Sequence, residues 1–132
     1  MSEAAAGEIQ DTETLFQKGL EQFNAGEYFD CHDTWEELWR DIRGESRLFY
    51  QGLIQVAIGY YHAGNRNFKG AHSQLSKAIE KLSEYPDVYR QVPLRNLLTT
   101  ISLHRSIYRD ALLGKYKKQS ASQLTPPIII LQ

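Results

Sequence analysis

His32 and Glu36 stand four residues apart, with Trp35 beside them and Trp39 three residues further on. In a helix this spacing stacks an imidazole and a carboxylate on one face, one turn apart. Such a pair can exchange a proton, orient a bound molecule or share a divalent cation. A second polar line follows in an otherwise apolar segment, where Gln51 and Gln55 are four apart and His62 lies seven further on. Polar groups on an apolar helix need hydrogen-bond partners. If the two helices are consecutive and antiparallel, the two lines face each other.

Three readings fit this pattern. The plainest is a buried, mutually satisfied polar cluster that fixes helix register. The second is a small-molecule pocket, with Trp35, Trp39, Tyr60 and Tyr61 as walls and His32, Glu36, Gln51 and Gln55 as orienting groups. The third is a hydrolase-like site with Glu36 as base and His32 as acid or ligand, or a divalent metal held by His32, Glu36 and His62. A metal is not favoured, because the second carboxylate–histidine pair of bundle metal sites is missing. Asp33 and Glu37 fall one residue out of line. The residues leave the cofactor unspecified.

Helical periodicity positions these groups. Leu15, Phe16, Leu20 and Phe23 predict a helix over 12–25, with Asp11 and Thr12 at its start and Gly26 just past its end. A second helix is expected over 28–43, with Tyr28, Cys31, Trp35, Leu38 and Ile42 on its apolar stripe and Gly44 as its stop. The third begins near Glu45-Ser46 and ends at Ala63-Gly64-Asn65. It is apolar on nearly every face, so it is expected at the centre. Asn67 is a cap for a fourth helix that breaks at Tyr85-Pro86. Pro93 opens a fifth that buries Leu94, Leu97, Ile101, His104, Tyr108 and Leu112 and ends at Gly114.

The expected fold is therefore all-α, a compact bundle of about five helices. Residues 1–10 read as a flexible N-terminus, 11–114 as the bundle and 115–132 as a polar linker with a docked proline-and-aliphatic tail. Phe23-Asn24-Ala25-Gly26 and Tyr61-His62-Ala63-Gly64 both end helices, and a two-residue insertion after the second brings Cys31-His32 opposite Ala71-His72. Two similar hairpins plus a long C-terminal helix resemble tetratricopeptide (TPR) packing, although the spacing is about 40 and the TPR repeat is 34.

Composition narrows the function classes. In 132 residues, fifteen basic and sixteen acidic side chains leave a net charge of −1, so no global field draws the chain to nucleic acid or an anionic membrane. No apolar run approaches the ~18 residues of a membrane span, and the N-terminus has no secretory pattern. The single cysteine, Cys31, excludes an internal disulfide and reads as a small core residue; the cytoplasm is the expected setting. His72 and His104 read as structural. Arg40, Arg43 and Arg47 read as a solvated charged end. The expected partner is a small molecule or a protein, for which Phe29 and Tyr89 are candidate anchors. The apolar-rich fifth helix admits a homodimer.

The run from Phe23 to Arg40 (FNAGEYFDCHDTWEELWR), then Phe49 to Gln55 (FYQGLIQ), then His62 to Asn65 (HAGN) with Gly70-Ala71, resembles the domain-of-unknown-function 309 family over about residues 12–113. The resemblance implies a compact helical bundle and no particular reaction. It puts His32, Trp35, Glu36, Trp39, Gln51, Gly52, Gln55 and Asn65 at motif positions, with Asp33 where the family more often has Glu.

Overall fold

In the computed structural model, the structure describes the backbone of residues 2–132 and the side chains of residues 11–132. Six helices follow in order: α1 (Ser2–Asn24), α2 (Tyr28–Arg40), α3 (Arg47–Gly64), α4 (Phe68–Leu82), α5 (Leu94–Leu112) and α6 (Lys118–Ser122). No strand is present among the described residues, only an isolated bridge between Tyr89 and Val92. The protein is thus an all-α bundle. Each of α1 to α5 packs on the next in chain order, and α6 touches α5 and α3.

The expected helices are present, with shifted ends. Helical backbone runs ahead of Thr12 to Ser2, across Ala4-Ala5-Ala6, the strongest of helix formers. The expectation of a flexible 1–10 segment otherwise lies outside the fully described residues. The second helix ends at Arg40 rather than Arg43, because Arg47 turns back and donates to the carbonyls of Trp39 (3.0 Å) and Ile42 (2.7 Å). Part of the expected linker is helical, as α6, whose Ala121 is buried. Leu112 is exposed rather than buried, lying on the last turn of α5. The tail lies against α1: the Asn24 side-chain amide donates to the Ile129 carbonyl (2.9 Å) and accepts from the Ile129 N–H (2.8 Å). Ile129 is buried there.

The core follows from the stripes. Phe16, Phe23, Trp35, Leu38, Phe49, Leu53, Val56, Tyr60, Leu75, Leu82 and Ile101 are among its buried members. α3 is central and buries residues around most of its circumference, from Phe49 to Ala63. Trp35 stacks on Phe16 (5.9 Å between centroids) and on Phe23 (6.0 Å), and its indole N–H donates to the Phe16 carbonyl at 3.2 Å.

The two hairpins repeat at a constant offset of forty residues, and the insertion expected from matching the two glycines is not needed. At the first turn, Glu27 N–H bonds the Gln22 carbonyl (2.8 Å) and Gly26 N–H that of Phe23 (3.0 Å). At the second, Asn67 N–H bonds His62 (2.8 Å) and Arg66 N–H bonds Ala63 (3.0 Å). Both are the paired closing bonds of a helix ended by one left-handed residue. That residue is Gly26 (φ 81°) in the first turn and Arg66 (φ 58°) in the second, while Asn65 keeps φ −92°. Gly26 therefore corresponds to Arg66, not Gly64. The helix contacts obey the same offset: a Cβ on Gly19 would strike the Trp35 ring, and one on Gly59 would strike Leu75.

Candidate functional site

The α2–α3 face carries part of the expected constellation. His32 Nε2 is 2.9 Å from Glu36 Oε2, and its Nδ1 is 3.2 Å from Asp33 Oδ1. Both ring nitrogens thus face carboxylate oxygens, which only accept; bonding both at once requires both N–H groups. Glu36 is held by this clamp while its side chain stays 43% exposed. Asp33, which falls out of line by helical counting, joins because it is the neighbour of His32 and reaches the other ring nitrogen.

Beside the clamp is a cleft of about 170 Å³ between α2, α3 and α4. Glu36 and Trp39 line it from α2, Gln51, Ile54, Gln55 and Ile58 from α3, and Gln74 from α4. Glu36 and Gln55 therefore meet at one surface. Two buried polar atoms on these walls have no hydrogen-bond partner, the indole Nε1 of Trp39 and the amide Oε1 of Gln55. One is a donor and the other an acceptor. The Arg47 guanidinium covers one face of the Trp39 ring at 3.9 Å, which holds the indole in place. No Lys or Arg lines the cleft, and Glu36 is its one formal charge.

Other expected members lie elsewhere. Trp35 is fully buried against α1 and is core, not a pocket wall. Tyr60 and Tyr61 line a different cleft, at the far end of α3. His62 continues the Gln51–Gln55 line, yet its ring meets Asn67 (Nδ1 to Nδ2, 3.3 Å) and packs on Gly70, where a Cβ would come within 2.9 Å of it. The set His32, Glu36 and His62 is therefore not assembled, and among the described residues no three His, Cys, Asp or Glu side chains group as metal ligands. In the last turn of α3, Tyr61 still packs on Phe29 of α2, whereas His62 turns to the α3–α4 connection. Gln74 was missed because only the packing of α4 on α3 brings it to the glutamines. Tyr89 packs between Phe49 and Tyr85 and is no free anchor, whereas Phe29 is 51% exposed.

The second cleft is larger, about 370 Å³, and is walled by Tyr28, Tyr60 and Tyr108 with Asn65 and the tail residues Ser122, Leu124 and Pro126. The Tyr60 hydroxyl is 2.7 Å from Nδ1 of buried His104. Burial holds the His104 pKa below its ordinary value and raises that of Tyr60, so the bond joins an uncharged phenol and an uncharged ring. Burial also pushes up the Cys31 thiol, which is free and inert in the core.

Comparison with known proteins agrees with the motifs. Residues 16–74 match the model of the family described as "Domain of unknown function (DUF309)". The matched stretch contains the whole His32–Gln74 cleft and stops short of α5, narrower than the 12–113 of the resemblance. The uncharacterized protein YpuF of Bacillus subtilis (strain 168) is 34% identical over 65 residues, 48% of this chain and 37% of that protein. An uncharacterized protein of Aquifex aeolicus (strain VF5) is 25% identical over 81 residues, 61% of this chain and 24% of that protein. The chain thus aligns with well under half the length of these relatives. No helix among the described residues is long and apolar enough to cross a membrane.

Proposed function

We propose that the chain is a cytoplasmic binding protein for a small, neutral or cationic molecule that both donates and accepts hydrogen bonds, such as an amide, urea or amine. The observation that carries this reading is the pair of unpartnered buried atoms, Trp39 Nε1 and Gln55 Oε1, on the walls of one cleft. An unpaired buried polar group costs about 1–3 kcal/mol, and a ligand offering an acceptor and a donor relieves both costs. Glu36, clamped by His32, sets the preference for positive charge, and Gln51 and Gln74 add further amide groups. His32 acts here as a positioning residue.

A titration with small amides, ureas and amines tests this by nuclear magnetic resonance. A binder is expected to move the Trp39 indole N–H together with the side-chain amides of Gln51, Gln55 and Gln74. The Trp35 indole, bonded to Phe16, serves as an internal control and stays still. If no member of the panel moves the Trp39 signal, or if both indoles move alike, the reading fails.

A second reading, a TPR-like interaction module, is favoured by one observation. Phe29 and Tyr61, both exposed, lie 5.3 Å apart at the α2–α3 surface and next to the half-buried His32. Replacing Phe29 by Ser tests it: retention of a captured protein partner after the exchange counts against that surface.

A further inference from the structure

The tyrosine-walled cleft holds a separate set of unsatisfied groups. Tyr108 is 1% exposed, stacks on Phe68 (5.7 Å, 16° between planes) and makes no side-chain hydrogen bond among the described residues. Its hydroxyl is not among the fully sealed, partnerless atoms, and Tyr108 lines the cleft. The hydroxyl of Tyr28, half-buried on the same wall, also has no hydrogen-bond partner among the described residues, and the Tyr28 ring lies 5.9 Å from that of Tyr60. Burial raises both phenols, Tyr108 to about 12, so each remains an O–H donor at neutral pH.

Two features add positive potential. α2 begins at Tyr28, and its cap residue Glu27 makes no side-chain cap bond, so the N–H groups of the first turn remain available beside Gly26 and Tyr28. At the rim, the Arg66 guanidinium reaches the Ser122 hydroxyl at 3.5 Å. Opposing charge comes from Glu27 and from Asp30 in that first turn; both side chains are exposed to water. The remaining walls are mixed: polar Asn65 and apolar Ala63 come from the end of α3, and Leu124 and Pro126 of the tail add an apolar side. A volume of about 370 Å³ is within the range of small-molecule pockets, roughly 300–1,000 Å³.

We propose that this cleft binds a small organic carboxylate with an apolar body, its carboxylate accepting from the Tyr28 and Tyr108 hydroxyls and its body lying against Leu124 and Pro126. The site is distinct from the α2–α3–α4 cleft in place and in charge preference. It takes Tyr28 and Tyr60 from the first four helices and completes itself with α5 and the tail.

Benzoate, benzamide and benzylamine, titrated into the full chain, probe the site by the backbone amide signals of Gly26, Gly64 and Ser122. Benzoate is expected to shift these signals saturably in the millimolar range, and benzylamine to leave them unmoved. Tyr108→Phe is expected to weaken benzoate by about tenfold, the equivalent of one lost hydrogen bond to a charged group. It should melt no lower than the parent, because the deleted hydroxyl bonds nothing among the described residues. If Tyr108→Phe does not fold, the half-buried Tyr28→Phe replaces it with the same expectation. Unmoved signals with benzoate, equal binding of benzylamine, or full benzoate affinity in a folded phenylalanine variant each overturn the proposal. The Trp39 and Gln55 signals report separately on the other cleft.

Discussion

Exchanging Gln55 for Met separates a binding cleft from a satisfied polar cluster. The two side chains are similar in length, and Met removes the buried Oε1 that has no partner. Relieving an unpaired buried acceptor returns about 1–3 kcal/mol, and the flexible thioether fills the space of the amide. The amide nitrogen of Gln55 is lost too, and the residue is only partly buried, so the low end applies, about 1 kcal/mol of added stability. For 132 residues, unfolding entropy near the midpoint is roughly 0.28 kcal/mol/K, so the midpoint should rise by about 3–4 °C. Thermal unfolding followed by circular dichroism reads this directly, and urea titration gives the same difference without heating. The same substitution should abolish the ligand-induced shift of the Trp39 indole. A loss of stability of about 1 kcal/mol or more would refute the reasoning, because it means that Oε1 is bonded within the protein. A double-mutant cycle with Trp39→Phe identifies that case: a coupling of about 1 kcal/mol would show the indole and the amide satisfying each other.

Gly19→Ala should cost about 2–3 kcal/mol in urea unfolding even after the gain in helix propensity, since its Cβ would sit 2.1 Å from Trp35 Nε1 and displace a rigid, hydrogen-bonded ring. Its counterpart Gly59→Ala meets the flexible end of Leu75 at 2.8 Å and should cost about 1 kcal/mol; equal costs at the two sites would count against the rigidity of the Trp35 ring as the source of the difference. Acidification should weaken the fold through His104: its folded pKa lies below the ordinary 6.5, so the unfolded chain binds the proton first. The contribution is complete above about pH 6.5 and is lost as the pH falls below it. His72, lowered mainly by burial and also by Arg105 and Arg109, acts in the same direction. His104→Gln should therefore flatten the stability profile between about pH 7 and about pH 5, and an unchanged slope would exclude the buried Tyr60–His104 contact as its source. Asn24→Ala removes both bonds to Ile129 and should speed hydrogen exchange at the Ile129 amide; an unchanged rate would mean that the tail is held without it.

Much of the fold was legible because the apolar stripes are regular. Leu15 to Phe23, Tyr28 to Leu38 and Phe68 to Leu82 each place one face in the core, and apart from the ten-residue N-terminal extension of α1 these helices lie within a few residues of the expected ones. α6 escaped notice because a five-residue helix has no room for a stripe; Ala121 is its one buried residue. The repeat was visible but out of phase, since matching by type paired Gly26 with Gly64. The turn bonds pair it with Arg66, a residue that composition would not place in a left-handed conformation.

Contacts within one helix follow from residue order alone. His32 and Glu36 are in contact because residues four apart on a helix are neighbours, whatever surrounds them. Trp35 is core because it lies at the centre of the α2 stripe. Tertiary structure alone decided which groups from different helices meet, because that depends on helix phase and crossing, set by bulk such as Trp35 resting on Gly19 and Leu75 on Gly59. Packing brought Gln74 to Gln51 and Gln55 and carried His62 away to Asn67. It also gathered Tyr28, Tyr60 and Tyr108 around one cleft across eighty residues of chain. No spacing in the sequence joins those three tyrosines, for each answers to the stripe of its own helix.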